Sequence, residues 1–429
     1  MQNRSGQIER SLSLLAVFFF AVLIAVLAVF GYTPTNDGVG YLEYAEKCLA
    51  ERQPYPIVAL FKEPFVWNIG IINLTELSLW LSGSIMPLLV VLCMMKSLTA
   101  LFTALIANKL FSPHAAFAAM LLFMLYPNNW GQSTMLSSEI PSTCIATAVV
   151  CLIIYKPTAK AAFFGGLLLA LANWFRPTAA IFMVAIAAYW LFFHRKRFIR
   201  QTMSLLAGFF LFITIVGTST YLRTGHFIYQ ARSYWFSMVD ECYDGAPVAP
   251  HWDQPLWPEG LPRYIEGHEQ MDCFQFEAIW KQRSLDWLKS HKLDYTKKIP
   301  GRLYYMYQSD YDAMPAFLPD KSKPENNYII IPYRHLFSEA LSLNAAQWLS
   351  LLCMVCYFCL LLMATVGTVR QLRLNSLLKV FLPVFIVVVG SMALVVVMHG
   401  ETRFKDPLMP YLFILASSLW GFHIKKRYR

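Results

Sequence analysis

The sequence predicts an all-α integral membrane protein with about ten transmembrane helices. Hydrophobic residues make up 57% of its 429 residues, charged residues only 14%, and the mean hydropathy is +0.45. Because a soluble domain carries about 25% charged residues, the bilayer is the expected solvent for this much apolar surface. The net charge of +10 comes mostly from Lys and Arg in short gaps between apolar runs, a pattern that indicates membrane topology rather than nucleic-acid binding.

Ten apolar runs approach the roughly 20 residues that a spanning helix needs. The predicted spans are 12–31, 85–108, 114–130, 139–155, 161–174, 177–193, 201–222, 345–367, 380–398 and 408–424. The first run lacks a small-residue cleavage site after it, so we expect it to remain as a membrane helix. Pro127, Pro141 and Pro177 predict broken or capped helix ends.

The basic residues predict the orientation of these spans. Ten spans place four basic clusters on the side of the N-terminus, which the positive-inside rule makes cytoplasmic. The clusters are Lys156 with Lys160; Arg195, Lys196, Arg197 and Arg200; Arg370, Arg373 and Lys379; and Lys425, Lys426, Arg427 and Arg429. We therefore expect a multi-pass protein of the plasma (inner) membrane with both termini in the cytoplasm.

Three units follow from this arrangement: an N-terminal transmembrane module (1–222), an outer domain between spans seven and eight (223–344), and C-terminal transmembrane helices (345–429). The first outer loop, 32–84, is expected to hold juxtamembrane helices. Its segment 64–82 is apolar but contains several polar residues, so an amphipathic helix in the interface is favoured. A spanning helix is the alternative, and charge alone does not decide between the two.

The outer domain is rich in Trp, Tyr and Pro. Its segment 274–292 has helical spacing, and one face is expected to hold Phe276, Ile279, Trp280, Leu285, Trp287 and Leu288. Cys242 and Cys273 also lie in this domain. They could form a disulfide if the domain faces an oxidising compartment, or they could stay free.

Asp37 is the first candidate for chemistry. It lies in NDGVGYLEYAEKCL (36–49), directly after span one. Apolar residues follow it at helical spacing, so Asp37 occupies the expected N-cap position, and a pure capping role is the alternative to a functional one.

Further charged residues fall on the same predicted side. Arg176 lies in NWFRP, Glu139 in SSEIPS and Arg403 in ETRFKDPLMPYL, all at outer ends of spans. Lys96 lies near the middle of span two, where a cation usually faces a cavity or a partner. Lys405 is expected to snorkel to the interface. The sequence thus predicts an outer cavity lined by Asp37, Glu139, Lys96 and the two arginines.

These motifs resemble those of the polytopic GT-C glycosyltransferases, a superfamily that includes the protein mannosyltransferases and the lipid A aminoarabinose transferases. The shared features are the acid in the first outer loop, the outer-turn Arg-Pro of WFRP, and the late arginine followed by two prolines in ETRFKDPLMPYL. They cover spans one to six and the last span but not the outer domain. Relatives often have Asp-Glu in the first loop and Tyr after the late arginine, where this chain has Asp37-Gly38 and Phe404.

The resemblance implies an enzyme that transfers a hexose or pentose from a polyprenyl-phosphate donor to an acceptor glycan, lipid or protein at the outer face. Asp37 would be the general base, and Arg403, Arg176 and Lys96 would bind the donor phosphate. A second acid would come from Glu139 or Glu63. Direct displacement would invert the anomeric centre, and no cofactor is expected.

Alternatives remain at this stage. Asp310-Tyr311-Asp312 has the Asp-x-Asp pattern that often holds a divalent metal, although such pairs arise easily by chance. An envelope glycan polymerase or ligase also combines many spans with a large outer loop. A lipid or solute transporter without transferase activity would favour two similar halves, which the sequence does not contain.

Overall fold

The chain folds as an all-α membrane protein, as predicted. A computed structural model describes residues 2–64, 66–248, 256–318, 343, 345–397 and 399–421. Within these ranges no β-strand forms, and Thr33 and Met135 meet in an isolated bridge. The helices are α1 (Gln2–Phe30), α2 (Asn36–Glu51), α3 (Ile69–Ser82), α4 (Met86–Leu110), α5 (Pro113–Leu125), α6 (Pro127–Gly131), α7 (Glu139–Tyr155), α8 (Ala159–Phe175), α9 (Ala179–Phe193), α10 (Arg195–Thr224), α11 (Tyr234–Val239), α12 (Cys273–Ser290), α13 (Lys292–Tyr307), α14 (Ala345–Arg373), α15 (Leu377–Val397) and α16 (Met409–Ser417).

Five of these helices are long and apolar enough to cross a membrane: α1, α4, α10, α14 and α15. Each of the other predicted spans coincides with a shorter helix, namely α5, α7, α8, α9 or α16. At 1.5 Å per residue these reach roughly 14 to 26 Å, which is less than the roughly 30 Å hydrocarbon core. Ten crossings therefore stay a prediction. The basic cluster at Lys425–Arg429 lies outside the described residues.

The helix connectors gather at two opposite ends of the bundle. At one end, named here the basic end, Ser112 Oγ donates to the Trp420 carbonyl oxygen (3.4 Å) and Gln201 Nε2 donates to that of Pro157 (2.6 Å). These are connectors that the sequence places on the N-terminal side. The contacts agree with helices that alternate in direction.

The opposite end, named here the loop end, collects the connectors that the sequence places outside. Thr33 N donates to the Thr134 carbonyl oxygen (2.8 Å), which joins the start of the first outer loop to the turn before α7. Tyr295 Oη, on α13, donates to the carbonyl oxygen of Val396 at the end of α15 (2.7 Å). The segment predicted as the outer domain therefore packs on this end through α13.

The segment predicted as the first outer loop, 32–84, contains two helices, α2 and α3. α3 begins at Ile69 rather than near residue 64, and its 14 residues extend only about 21 Å. This length does not distinguish α3 from the other short apolar helices, so the interfacial and the spanning alternatives both stay open. Thr75 is buried on one side of α3, whereas Trp80 and Leu81 are exposed on the other, as expected for a helix against lipid. Its position in the membrane interface stays a prediction.

In the outer domain, α12 confirms the predicted helix at 274–292. Asp272 and Gln275 form a capping box at its N-terminus, which satisfies otherwise unpaired backbone N–H groups. Phe276 and Trp280 are buried, as expected, but Leu285 is exposed. The predicted apolar face was therefore too wide. The buried face of α12 includes Ser284 and excludes Leu285.

Cys242 and Cys273 are free thiols in this structure, and both are buried. They belong to different hydrophobic clusters. Burial raises the pKa of Cys242 to about 11 and that of Cys273 to about 12. Both side chains are therefore protonated at neutral pH and act as small apolar residues.

Gly166 allows α8 and α10 to pack closely. A Cβ atom at this position would overlap the Leu205 carbonyl oxygen of α10. Small residues at helix contacts let backbones approach in this way. The neighbouring Gly165 differs, because a Cβ there would lie 3.2 Å from a methyl group of Val149, which can shift.

We expect Gly166→Ala to destabilise the fold by about 1–3 kcal/mol, the usual cost of overpacking. The matched control is Gly165→Ala, where the gain in helix propensity offsets a smaller steric cost. Thermal unfolding in detergent, followed by size-exclusion chromatography, measures both. Equal midpoints for the two variants would show that the close contact at Gly166 is unimportant.

Candidate functional site

A cavity of about 630 Å³ lies at the loop end, between the ends of membrane helices and the outer domain. Its volume is in the range of small-molecule binding sites. One wall comes from α2, the 176–181 segment, α15 and the connector after it. The charged lining residues are Asp37, Arg176, Asp240, Glu241, Arg263, His399, Glu401 and Arg403.

Asp37 does not cap α2, and the prediction that it occupies the N-cap position is wrong. The helix begins at Asn36, and its N-cap is Thr35, two residues before Asp37. Thr35 Oγ1 accepts a hydrogen bond from Gly38 N (3.0 Å). The Asp37 carboxylate instead contacts Arg403, with Oδ2 2.5 Å from Nη1. The capping explanation for this acid therefore does not apply.

Arg403 bridges two carboxylates. Its Nη1 contacts Asp37, and its Nε lies 2.5 Å from Oε1 of Glu401. Burial alone would lower the pKa of Arg403, but Asp37 and Glu401 outweigh it and hold that pKa well above its usual range. Burial alone would raise the pKa of Glu401, but Arg403, His399 and Arg176 lower it to about 2. Arg403 and Glu401 are therefore both charged at neutral pH.

Glu401 is a site residue that the sequence reasoning missed, although it lies in the same ETRF motif as Arg403. The two side chains meet because residues 402–408 form a 3-10 helix directly after Glu401. Gly400 allows this turn to approach α13, since a Cβ there would overlap the Arg302 carbonyl oxygen. An acid two residues before a candidate arginine was the available signal.

Arg176 and Glu139 form another ion pair, and both of its side chains are almost completely buried. Arg176 follows α8, Glu139 begins α7, and Nη1 lies 2.6 Å from Oε1. The Arg176 guanidinium also lies 5.4 Å from the centre of the Phe404 ring, a cation–π distance. Phe404 thus packs against the Arg176 guanidinium.

Three sequence-predicted residues, Glu63, Lys96 and Glu139, do not line this cavity. Glu63 pairs with Lys47 (3.4 Å) in the first outer loop. Lys96 lies deeper and donates a hydrogen bond to Gln132. It lines a separate, water-sized cavity with Glu139 and Asp406, because α4 carries it below the level of the arginines. The prediction that Lys96 and Asp37 line one cavity is therefore wrong.

Lys405 is fully buried, so the expectation that it snorkels to the interface is also wrong. Its Nζ lies 3.1 Å from Asp310 Oδ1 and donates to the carbonyl oxygens of Ser309 (2.6 Å) and Thr402 (2.8 Å). These contacts fix the connector that carries Arg403 to the segment after α13.

The two acids of the Asp-x-Asp pair, Asp310 and Asp312, contact different partners. Asp310 accepts hydrogen bonds from Tyr126 and Asn128 and pairs with Lys405. Asp312 accepts a hydrogen bond from Thr402 (2.5 Å). Both acids thus stabilise the connector beside the cavity, and within the residues that the structure describes no group of three or more His, Cys, Asp or Glu side chains is arranged to hold a metal.

The fold and the site together define a helical membrane protein with an ion-paired cavity at one end of its bundle. Comparison of the chain with known protein families and with curated proteins finds no match.

Proposed function

We propose that this protein is a membrane glycosyltransferase that moves a sugar from a polyprenyl-phosphate donor to an acceptor hydroxyl. The convergence of Asp37, Arg403 and Arg176 on one cavity carries this proposal. These residues come from sequence positions up to 366 apart. Their cavity adjoins apolar helix ends at Ile181 and Leu394, where a lipid-linked donor would approach from the bilayer.

The proposed reaction is a direct displacement. The acceptor hydroxyl oxygen attacks the anomeric carbon, and the bond from that carbon to the phosphate oxygen breaks with its electron pair on the phosphate. The hydroxyl proton passes to the Asp37 carboxylate. The products are the glycosylated acceptor, with inverted configuration, and polyprenyl phosphate.

The arginines are proposed to stabilise the phosphate. Negative charge grows on the leaving phosphate as the glycosidic bond breaks, and fixed cations in a partly dry cavity lower the energy of that state. Arg403 is suited to bind phosphate with two nitrogens. Arg176 supplies a second positive charge, and Glu139 orients it.

The topology belongs to the same proposal. Ten crossings of the plasma membrane, with both termini in the cytoplasm, would place the cavity on the outer face. A polyprenyl phosphate could then keep its tail in the bilayer while its sugar enters the cavity.

Transfer by purified protein in proteoliposomes tests this function. Polyprenyl-phosphate hexoses and pentoses are supplied as donors with a membrane extract as acceptor source, and released polyprenyl phosphate is measured with the labelled product. We expect Arg176→Gln to lower kcat/KM for the donor about 100-fold. Arg223→Gln is the control, because Arg223 is absent from the cavity lining. Movement of lipid across the bilayer without sugar transfer would contradict the proposal and favour a transporter.

A further inference from the structure

The two carboxylates on Arg403 have different surroundings. The side chain of Glu401 is 9% exposed, and its second oxygen lies 3.5 Å from His399 Nε2. The side chain of Asp37 is 21% exposed and approaches Arg403 from a different element, the first turn of α2. Glu401 is thus enclosed beside Arg403, whereas Asp37 reaches it from the cavity wall.

The two acids also use different nitrogens of Arg403. Glu401 contacts Nε, and Asp37 contacts Nη1. A phosphate that binds a guanidinium with two oxygens uses adjacent nitrogens of its planar fork. An Asp37 carboxylate on Nη1 occupies part of that fork, so Asp37 and a phosphate compete for it.

We propose that Glu401 is a positioning residue that holds Arg403 in place, whereas Asp37 is an exchangeable partner that the donor phosphate displaces from Nη1. This inference rests on the proposed function and specifies the regulation of the same site. Displacement is favoured because a carboxylate and a phosphate beside one guanidinium repel each other in a partly dry cavity.

The exchange makes the base dependent on the donor. In the empty site the Asp37 carboxylate is paired with Arg403, so its Oδ2 atom is occupied and does not face an acceptor hydroxyl. Once phosphate occupies Arg403, the Asp37 carboxylate is released toward the acceptor hydroxyl. The protein therefore binds donor before it activates an acceptor.

Binding of undecaprenyl phosphate to the full-length protein in nanodiscs tests the exchange. The matched variants are Asp37→Ala and Glu401→Ala, because each removes one carboxylate from Arg403. We expect Asp37→Ala to lower the Kd about fivefold or more, because a competitor is lost. We expect Glu401→Ala to raise the Kd, because Arg403 loses its support. Asp294→Asn is the control, because it removes a carboxylate that lies outside the cavity and pairs with Lys297; its Kd should match that of the wild type.

A general loss of structure would not shift the two affinities in opposite directions. If Glu401→Ala does not fold, Glu401→Gln replaces it, because the glutamine keeps an oxygen that can accept from Arg403 Nε. We expect Glu401→Gln not to lower the Kd. Equal tightening in the Asp37 and Glu401 variants would overturn the assignment of fixed and exchangeable partners. An unchanged or higher Kd in Asp37→Ala, together with lost transfer, would overturn the exchange but leave the proposed function intact. Failure of the wild-type protein to bind undecaprenyl phosphate would overturn both.

Discussion

Replacing Asp37 with Asn is expected to lower kcat for sugar transfer by about a thousandfold, within the range that general-base catalysis contributes. Asn matches Asp in shape but does not accept the hydroxyl proton. The change should leave α2 intact, because Thr35 rather than Asp37 caps that helix. Initial rates with saturating donor, normalised to protein recovered by size exclusion, give the comparison.

Two controls separate chemistry from folding in this experiment. Thr35→Ala removes the cap, which typically costs about 1 kcal/mol of stability, but it should leave kcat near the wild-type value. Glu43→Gln neutralises another acid of α2, which pairs with Lys47, and should retain full activity. A wild-type rate in Asp37→Asn would rule out Asp37 as the base.

Replacing Lys405 with Met is expected to destabilise the protein by about 3–5 kcal/mol, the cost of leaving one partner of a buried ion pair alone. The Lys405 and Asp310 side chains are 0% and 2% exposed, so no solvent reaches the remaining carboxylate. Two backbone carbonyl oxygens would also lose their donor. Thermal unfolding in detergent measures the change.

The double variant Lys405→Met with Asp310→Asn should recover much of this loss, because no unpaired charge then remains. Lys297→Met, which removes one partner of the exposed pair with Asp294, should leave the unfolding temperature unchanged. Equal stability of Lys405→Met and the wild type would show that the pair does not hold the connector in place.

The general architecture and part of the site were predictable from the sequence. The lengths of the apolar runs and the basic residues between them predicted the helices. This works because a segment that spans the bilayer must be an apolar helix whose backbone N–H and C=O groups are all hydrogen-bonded. The common side of Asp37, Arg176 and Arg403 followed from counting spans. In the structure all three residues line one cavity at the loop end, which agrees with the predicted number of spans between them.

The site residues that the sequence misplaced or missed share one physical cause. Lys96 lies in a second cavity because it is further along its helix from the loop end than the arginines are. The sequence does not give the depth of a residue in the membrane when helices are short or tilted. Lys405 and Glu401 were misjudged or missed because their environment depends on a 3-10 turn and on Asp310, 95 positions away from Lys405. Packing between distant segments, rather than local pattern, determines both.

A structure of the protein with polyprenyl phosphate bound is the most direct test of a transferase site built on Asp37 and Arg403. We predict the phosphate within hydrogen-bond distance of the Arg403 guanidinium, with Asp37 turned from Nη1 into the open part of the cavity. A phosphate bound elsewhere, with Asp37 still paired to Arg403, would contradict the assignment of this cavity as the site of sugar transfer.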